Sequence, residues 1–234
     1  MSKRLASFHG PSTPTSSPIP QPRQPGTPAS PSRASENTIH RKVRTLLQEL
    51  RSLSHAWDNL VLVDGLRAVR TLVDTRTELD NALALLAPGS LPRSPIVGPK
   101  LAIMEKCIVQ LDSVLTKLQK NLRRMGTVVD NLEALYHETQ KTKGPKWCKE
   151  EPLWLSWSIE KFVLSMGDIT TPYHRSLVLL TDLVNKLRSH SLAFEASRDI
   201  VNQWVEQPYL EENGWDVQWE DLCAVEVEKW DARL

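Results

Sequence analysis

The sequence predicts an all-α fold: an elongated antiparallel helical bundle or coiled coil, with Trp-rich C-terminal helices and a disordered N-terminal tail. Three observations predict it. Long segments carry apolar residues at alternating three- and four-residue spacing, the mark of one helix face. Breaker clusters rich in Pro and Gly separate those segments. No stretch alternates with period two over a useful length, so no sheet is expected.

Residues 1–36 form the first region. Residues 1–35 hold eight of the sixteen prolines, eleven Ser or Thr, and few large apolar side chains. Such a segment cannot bury enough apolar surface to offset its chain entropy, which predicts disorder. Ser-Pro or Thr-Pro pairs at Thr13, Ser17, Thr27 and Ser30 are candidate phosphorylation sites, and Arg33, three residues after Ser30, gives the form that cyclin-dependent kinases prefer. Phosphate there would act on a tail of charge +4.

Residues 37–141 are expected to form a long antiparallel coiled-coil helix pair. Asn37 or Thr38 is a plausible N-cap. Ile39, Val43, Leu46, Leu50, Leu53, Trp57 and Leu60 then keep one register. The register slips near Asp64-Gly65 and resumes as Leu62, Leu66, Val69 and Val73, then Leu79, Leu83 and Leu86, which predicts a bend or skip there. The cluster at 88–99 predicts a loop. From Pro99, a good first helical residue, to about Lys141, Leu101, Met104, Ile108, Leu111 and their successors as far as Tyr136 run through five heptads.

Residues 142–234 are expected as a Trp-rich helical region packing on that pair. Lys141 to Pro152 reads as loop. A helix over about 158–189 should be kinked or split by Pro172. A short helix follows over about 194–206, and an amphipathic stretch over about 215–231. Seven of the eight tryptophans lie at or after Trp147.

Composition bounds the function. The 234 residues suffice for one or two domains with a sizeable core, and the net charge of +1 makes a strongly basic nucleic-acid binder an unfavoured reading. No apolar run is long enough to span a membrane, and Met1–Gly10 lacks the apolar core of a secretory signal. Three scattered cysteines fit a reducing compartment. Metal-site, phosphate-loop and nucleophile-elbow motifs are missing, so neither catalytic residue, metal nor cofactor is expected. Cys148 and His137 would make only half of a zinc site. The acidic stretch over 206–234, of charge −7, reads as a solvated helix face or a dock for a basic partner. Lys120, Arg123 and Arg124 form a small basic cluster, as do Lys141, Lys143 and Lys146. Both read as solubilising charge or a weak nuclear-localisation signal.

The aromatic segments carry the functional reading. Pro152-Leu153-Trp154-Leu155-Ser156-Trp157 sets two tryptophans before a helix, and Trp204-Val205-Glu206-Gln207-Pro208-Tyr209 sets two aromatics at a helix end. Buried, such residues close a bundle. Exposed, they anchor an interface. On the second reading Trp57, Trp154, Trp157, Trp204, Gln207, Pro208 and Tyr209 are the candidate partner-binding residues.

These segments resemble a family. The run from Trp204 to Glu211 is similar to the W-x-x-Q-P-Y-x-E stretch of the cyclin-dependent kinase 2-interacting proteins. Pro152-Leu153-Trp154 with Trp157 resembles that family's P-L-F-x-x-W. Ala56-Trp57-Asp58-Asn59-Leu60-Val61-Leu62 resembles its A-x-W-x-N-L-x-L. The order and spacing are similar over about residues 40–234, whereas residues 1–35 have no counterpart, Pro172 interrupts a helix the family keeps whole, and the chain end matches only faintly. The resemblance implies a small non-enzymatic adaptor or scaffold. Its implied partners are an AAA-type ATPase with a second small helical subunit, and cyclin-dependent kinase. Its implied setting is nuclear, or nucleocytoplasmic, in late large-ribosomal-subunit maturation and in replication and checkpoint signalling. Two other readings follow from the residues alone. One is a coiled-coil subunit of a kinetochore, spindle or tethering complex. The other is a replication factor that touches DNA directly.

Overall fold

The computed structural model describes residues 38–86, 94–189 and 192–211, with Trp219 and Leu222 beyond them. The expected tail, including Thr13, Ser17, Thr27 and Ser30, lies outside the described residues, as does most of 215–231. The described elements are helical, and Pro152 and Ser158 make an isolated antiparallel bridge. None of these helices is long and apolar enough to cross a membrane.

Helix α1 (Thr38–Asp58) passes through a π-helical segment (Asn59–Gly65) into α2 (Leu66–Ala84). Helix α3 (Ser94–Lys143) returns alongside. At 50 residues it is about 75 Å long. Cross-helix ion pairs show the antiparallel sense: Lys42 with Glu138, Glu49 with Arg124, and Glu78 with Lys100. Helices α4 (Pro145–Glu150), α5 (Ile159–Gly167), α6 (Thr170–Leu187), α7 (Phe194–Glu206) and α8 (Pro208–Glu211) follow.

Two expectations change and a third holds. Helix α3 starts at Ser94, not Pro99, so Pro99 lies inside the helix. Gly98 before it has no Cβ for the proline ring to crowd, which eases a helical backbone there. The expected loop over 141–152 contains α4. Gly144, at φ 88°, turns the chain, and Pro145 then begins the short helix, where a missing N–H costs nothing. The helix over 158–189 is split, as Pro172 leads one to expect; the break falls just ahead of it, at Asp168-Ile169, which leaves the proline in the first turn of α6.

The register slip has a structural form. Trp57, Val61, Gly65 and Val69 are all buried although each lies four residues from the last. An α-helix would rotate that row off the core face. The π-helical turns, with i→i+5 bonding, absorb the extra residue.

The seam of α3 is filled from within the chain. Met104, Leu111, Leu118, Met125 and Leu132 are buried as the heptads predict. The row beside them, Cys107, Val114, Asn121, Val128 and Leu135, is buried as well. In the other seam row Val129 is buried, and Ile108, Leu115, Leu122 and Tyr136 are half-buried against the same core. The apolar face is wider than two heptad rows because α3 packs against α1 and α2 and also against α5 and α6. One member of the buried row is polar. Asn121 donates from Nδ2 to the Leu53 carbonyl at 2.9 Å, a single buried amide of the kind that sets helix register.

Gly65→Ala tests the widened turn. A Cβ at Gly65 would lie 2.6 Å from Cζ2 of Trp204, whereas one at Gly126 meets nothing within 4 Å. Urea denaturation should show a loss of about 1–3 kcal/mol for Gly65→Ala and no loss for Gly126→Ala, where the helix propensity gain is up to about 1 kcal/mol.

Candidate functional site

The candidate residues fall into two aromatic clusters and a surface corner. The first cluster joins the π-helical segment to the end of α7. The Trp204 ring lies against Gly65, and its Nε1 donates to the Val61 carbonyl at 3.0 Å. Trp57 meets Tyr173 of α6 edge to face, with ring centroids 5.0 Å apart. Its Nε1 donates to Oε1 of Gln207 at 3.2 Å. Gln207 caps α7 in the left-handed region, at φ 40°, and its carbonyl accepts from the Leu210 amide at 2.8 Å as α8 begins. A non-glycine residue held there is strained, and the bond to Trp57 helps hold it.

The second cluster comes from 152–162. The Leu153 amide donates to the Trp157 carbonyl at 2.9 Å, closing a tight loop, and Ser158 caps α5. Phe162 is met by Trp154 at 5.5 Å, edge to face, and by Trp157 at 5.3 Å. Trp154 reaches α1, with His40 against its edge and the Arg44 guanidinium 5.8 Å from its centroid. Lys161 lies 4.3 Å from the Trp157 centroid, a cation–π contact.

Of the seven candidate anchors, Trp57, Trp154, Trp204 and Gln207 are therefore buried in this chain's own core, and Trp157 is half-buried. Pro208 and Tyr209 are exposed, Tyr209 at 37%. Val205, one turn earlier, and Phe194 at the start of α7 are exposed too. The structure thus brings together Trp57, Trp204 and Gln207, holds Trp154 and Trp157 in a separate cluster, and leaves Tyr209 accessible.

One structural residue escaped the sequence reading. Arg76 is buried on α2 and donates to the carbonyls of Leu187 (2.8 Å) and Ser189 (2.9 Å) and to the Ser197 hydroxyl (3.4 Å). It thereby closes the C-terminus of α6, where a cation is favoured, and ties it to α7. Burial lowers its pKa and the nearby Asp80 charge opposes that shift. The available signal was its place on the apolar row of α2, between Leu72 and Leu79.

Cys148 is buried while His137 is exposed, and the described residues contain no group of three or more His, Cys, Asp or Glu able to hold a metal. Burial pushes the Cys107 and Cys148 thiols up, helped at Cys148 by the Glu160 carboxylate and opposed at Cys107 by Lys106. Tyr136 donates to Glu160 at 3.1 Å, and burial with that bond raises its hydroxyl pKa.

Two grooves open along the α1–α3 seam. One, of about 690 Å³, lies between the start of α1 and the end of α3, where Lys42 and Glu138 are paired. The other, of about 510 Å³, lies between the π-helical segment and the middle of α3. Comparison with protein-family models and with curated protein sequences finds no match.

Trp204→Ala should cost about 3–5 kcal/mol in equilibrium denaturation, as for a buried aromatic, with Trp157→Ala costing less. In the native protein, Cys107 and Cys148 should react with a disulfide reagent no faster than the protein unfolds, and at once in denaturant. Peptide-level mass spectrometry of the labelled cysteines checks this.

Proposed function

We propose that this protein is a non-enzymatic adaptor or scaffold subunit of the type of the cyclin-dependent kinase 2-interacting proteins. In this reading it works in the nucleus or between nucleus and cytoplasm. Its partners are an AAA-type ATPase, a second small helical subunit and cyclin-dependent kinase. The assembly serves large-ribosomal-subunit maturation and replication or checkpoint genome maintenance.

The observation that supports this reading is the convergence of two of the family-like segments. Trp57, from the first, and Gln207, from the last, are hydrogen-bonded across 150 residues of sequence, and Trp204 closes on the π-helical segment beside them. These segments act as one unit, whose result is to hold Pro208 and Tyr209 at the surface. An exposed tyrosine on a rigid, buried base suits an interface anchor, because little side-chain freedom is lost on binding. The coiled-coil-subunit alternative asks for a seam left open to a partner, whereas the seam of α3 is covered by α1, α2, α5 and α6.

The test is affinity purification of the full chain from its native cells, with mass spectrometry, beside Tyr209→Ala. The wild type should retain a hexameric AAA ATPase and a small helical subunit. Tyr209→Ala should keep its stability within about 1 kcal/mol and lose those partners by about tenfold or more. Recovery of cytoskeletal or kinetochore coiled-coil proteins in their place would sink the reading.

A further inference from the structure

The groove between the π-helical segment and α3 has two unlike walls. Leu53, Ala56, Leu60 and Val63 line one side. Their spacing of three, four and three residues is that of a helix stripe, yet Ala56 and Val63 are exposed, Val63 at 47%. Lys117, Lys120 and Arg124 line the other side, one turn apart on α3. Arg124 pairs with Glu49. Lys117 and Lys120 have no ion pair among the described residues. Asp64 is the acid among the described lining residues, and Arg67 joins where the groove runs on into a smaller pocket of about 180 Å³.

We infer that this groove is a docking site for an amphipathic helix of a protein partner, one that carries an acidic flank beside its apolar face. The apolar wall takes the apolar stripe, and the acidic flank faces Lys117 and Lys120. The widened π-helical turns matter here, because they keep Val61 and Gly65 on the core side while Leu60 and Val63 stay turned to the groove. A polyanion such as RNA would match the lysines and leave the apolar wall unsatisfied. The chain's own acidic C-terminal stretch has complementary charge, but its Trp219 and Leu222 are already buried in the core and neither lines the groove. A partner helix is therefore the occupant that the charges and the apolar stripe fit together. This inference rests on the adaptor reading and gives that reading a second contact, separate from Tyr209.

The experiment places p-benzoylphenylalanine at Val63, and separately at Ala56, in the full-length chain in its native cells, with Leu164 on α5 as an exposed control position. After irradiation, adducts are identified at peptide level. The same is done in a Lys117→Glu, Lys120→Glu background whose melting temperature is measured. The expected result is an adduct from Val63 or Ala56, and not Leu164, on an acidic amphipathic segment of another protein. Charge reversal should reduce it about tenfold or more with the fold intact. The inference is overturned by an adduct to RNA, to this chain or a second copy, or to a segment without acidic residues. It is equally overturned by an adduct that survives charge reversal, or by none. If the ATPase assembly still co-purifies in those cases, the adaptor reading survives and the groove alone has failed.

Discussion

The close approach of Trp204 to Gly65 is the constraint on which the rest of the fold depends. The indole can lie on the helix only because position 65 has no Cβ, and its N–H finds an acceptor because the Val61 carbonyl is presented toward it. That carbonyl also accepts the i→i+5 bond from Leu66, so one oxygen with two lone pairs serves both helices. The π-helical segment and the docking of α7 are consequently one feature. Each end of α7 is then held by a buried polar bond to the first helix pair: Arg76 at the α6–α7 turn, and Trp57 to Gln207 at the exit.

Helix α3 is the other organising element. A helix in a folded protein draws most of its stability from packing of its apolar face, so the stripe along these 50 residues must be covered. Here it is covered on two sides, by α1 and α2 and by α5 and α6. The buried row through Cys107, Val114, Asn121, Val128 and Leu135 is the consequence. Asn121 is the polar member, and its bond to the Leu53 carbonyl selects one alignment of α3 on α1, where a seam of leucines alone would tolerate several.

Burial divides the aromatic residues by role. Trp57 and Trp204 carry the core with their N–H groups satisfied, whereas Tyr209 rises from α8 at the surface. The same division holds along the first helix pair, where Val61 faces the core and Val63 faces a groove with lysines opposite. The fold thus separates the residues that order the backbone from those it leaves exposed, and under the proposed adaptor reading that order would reduce the entropy lost on binding.

The all-α class, the long helices, the slip near Gly65 and the split near Pro172 were legible in the sequence, because each depends on local spacing or on proline and glycine chemistry. The loop over 141–152 misled, because a six-residue helix leaves little periodicity to read. The two-sided burial of α3 was hidden, since Cys107 and Asn121 are not strong apolar signals and reveal their row only when a second layer covers it. The role of Arg76 was hidden for the same reason: a lone arginine on an apolar row means nothing until the carbonyls of Leu187 and Ser189 arrive from 111 and 113 residues away. By itself, then, the sequence determined where the long helices lie and which of their faces are apolar, since those follow from neighbours within a turn or two. Tertiary structure alone decided that the seam closes within the chain, that Trp57 and Trp204 belong to the core, and that Tyr209 and Val63 do not, because burial depends on which distant surface arrives to cover each face.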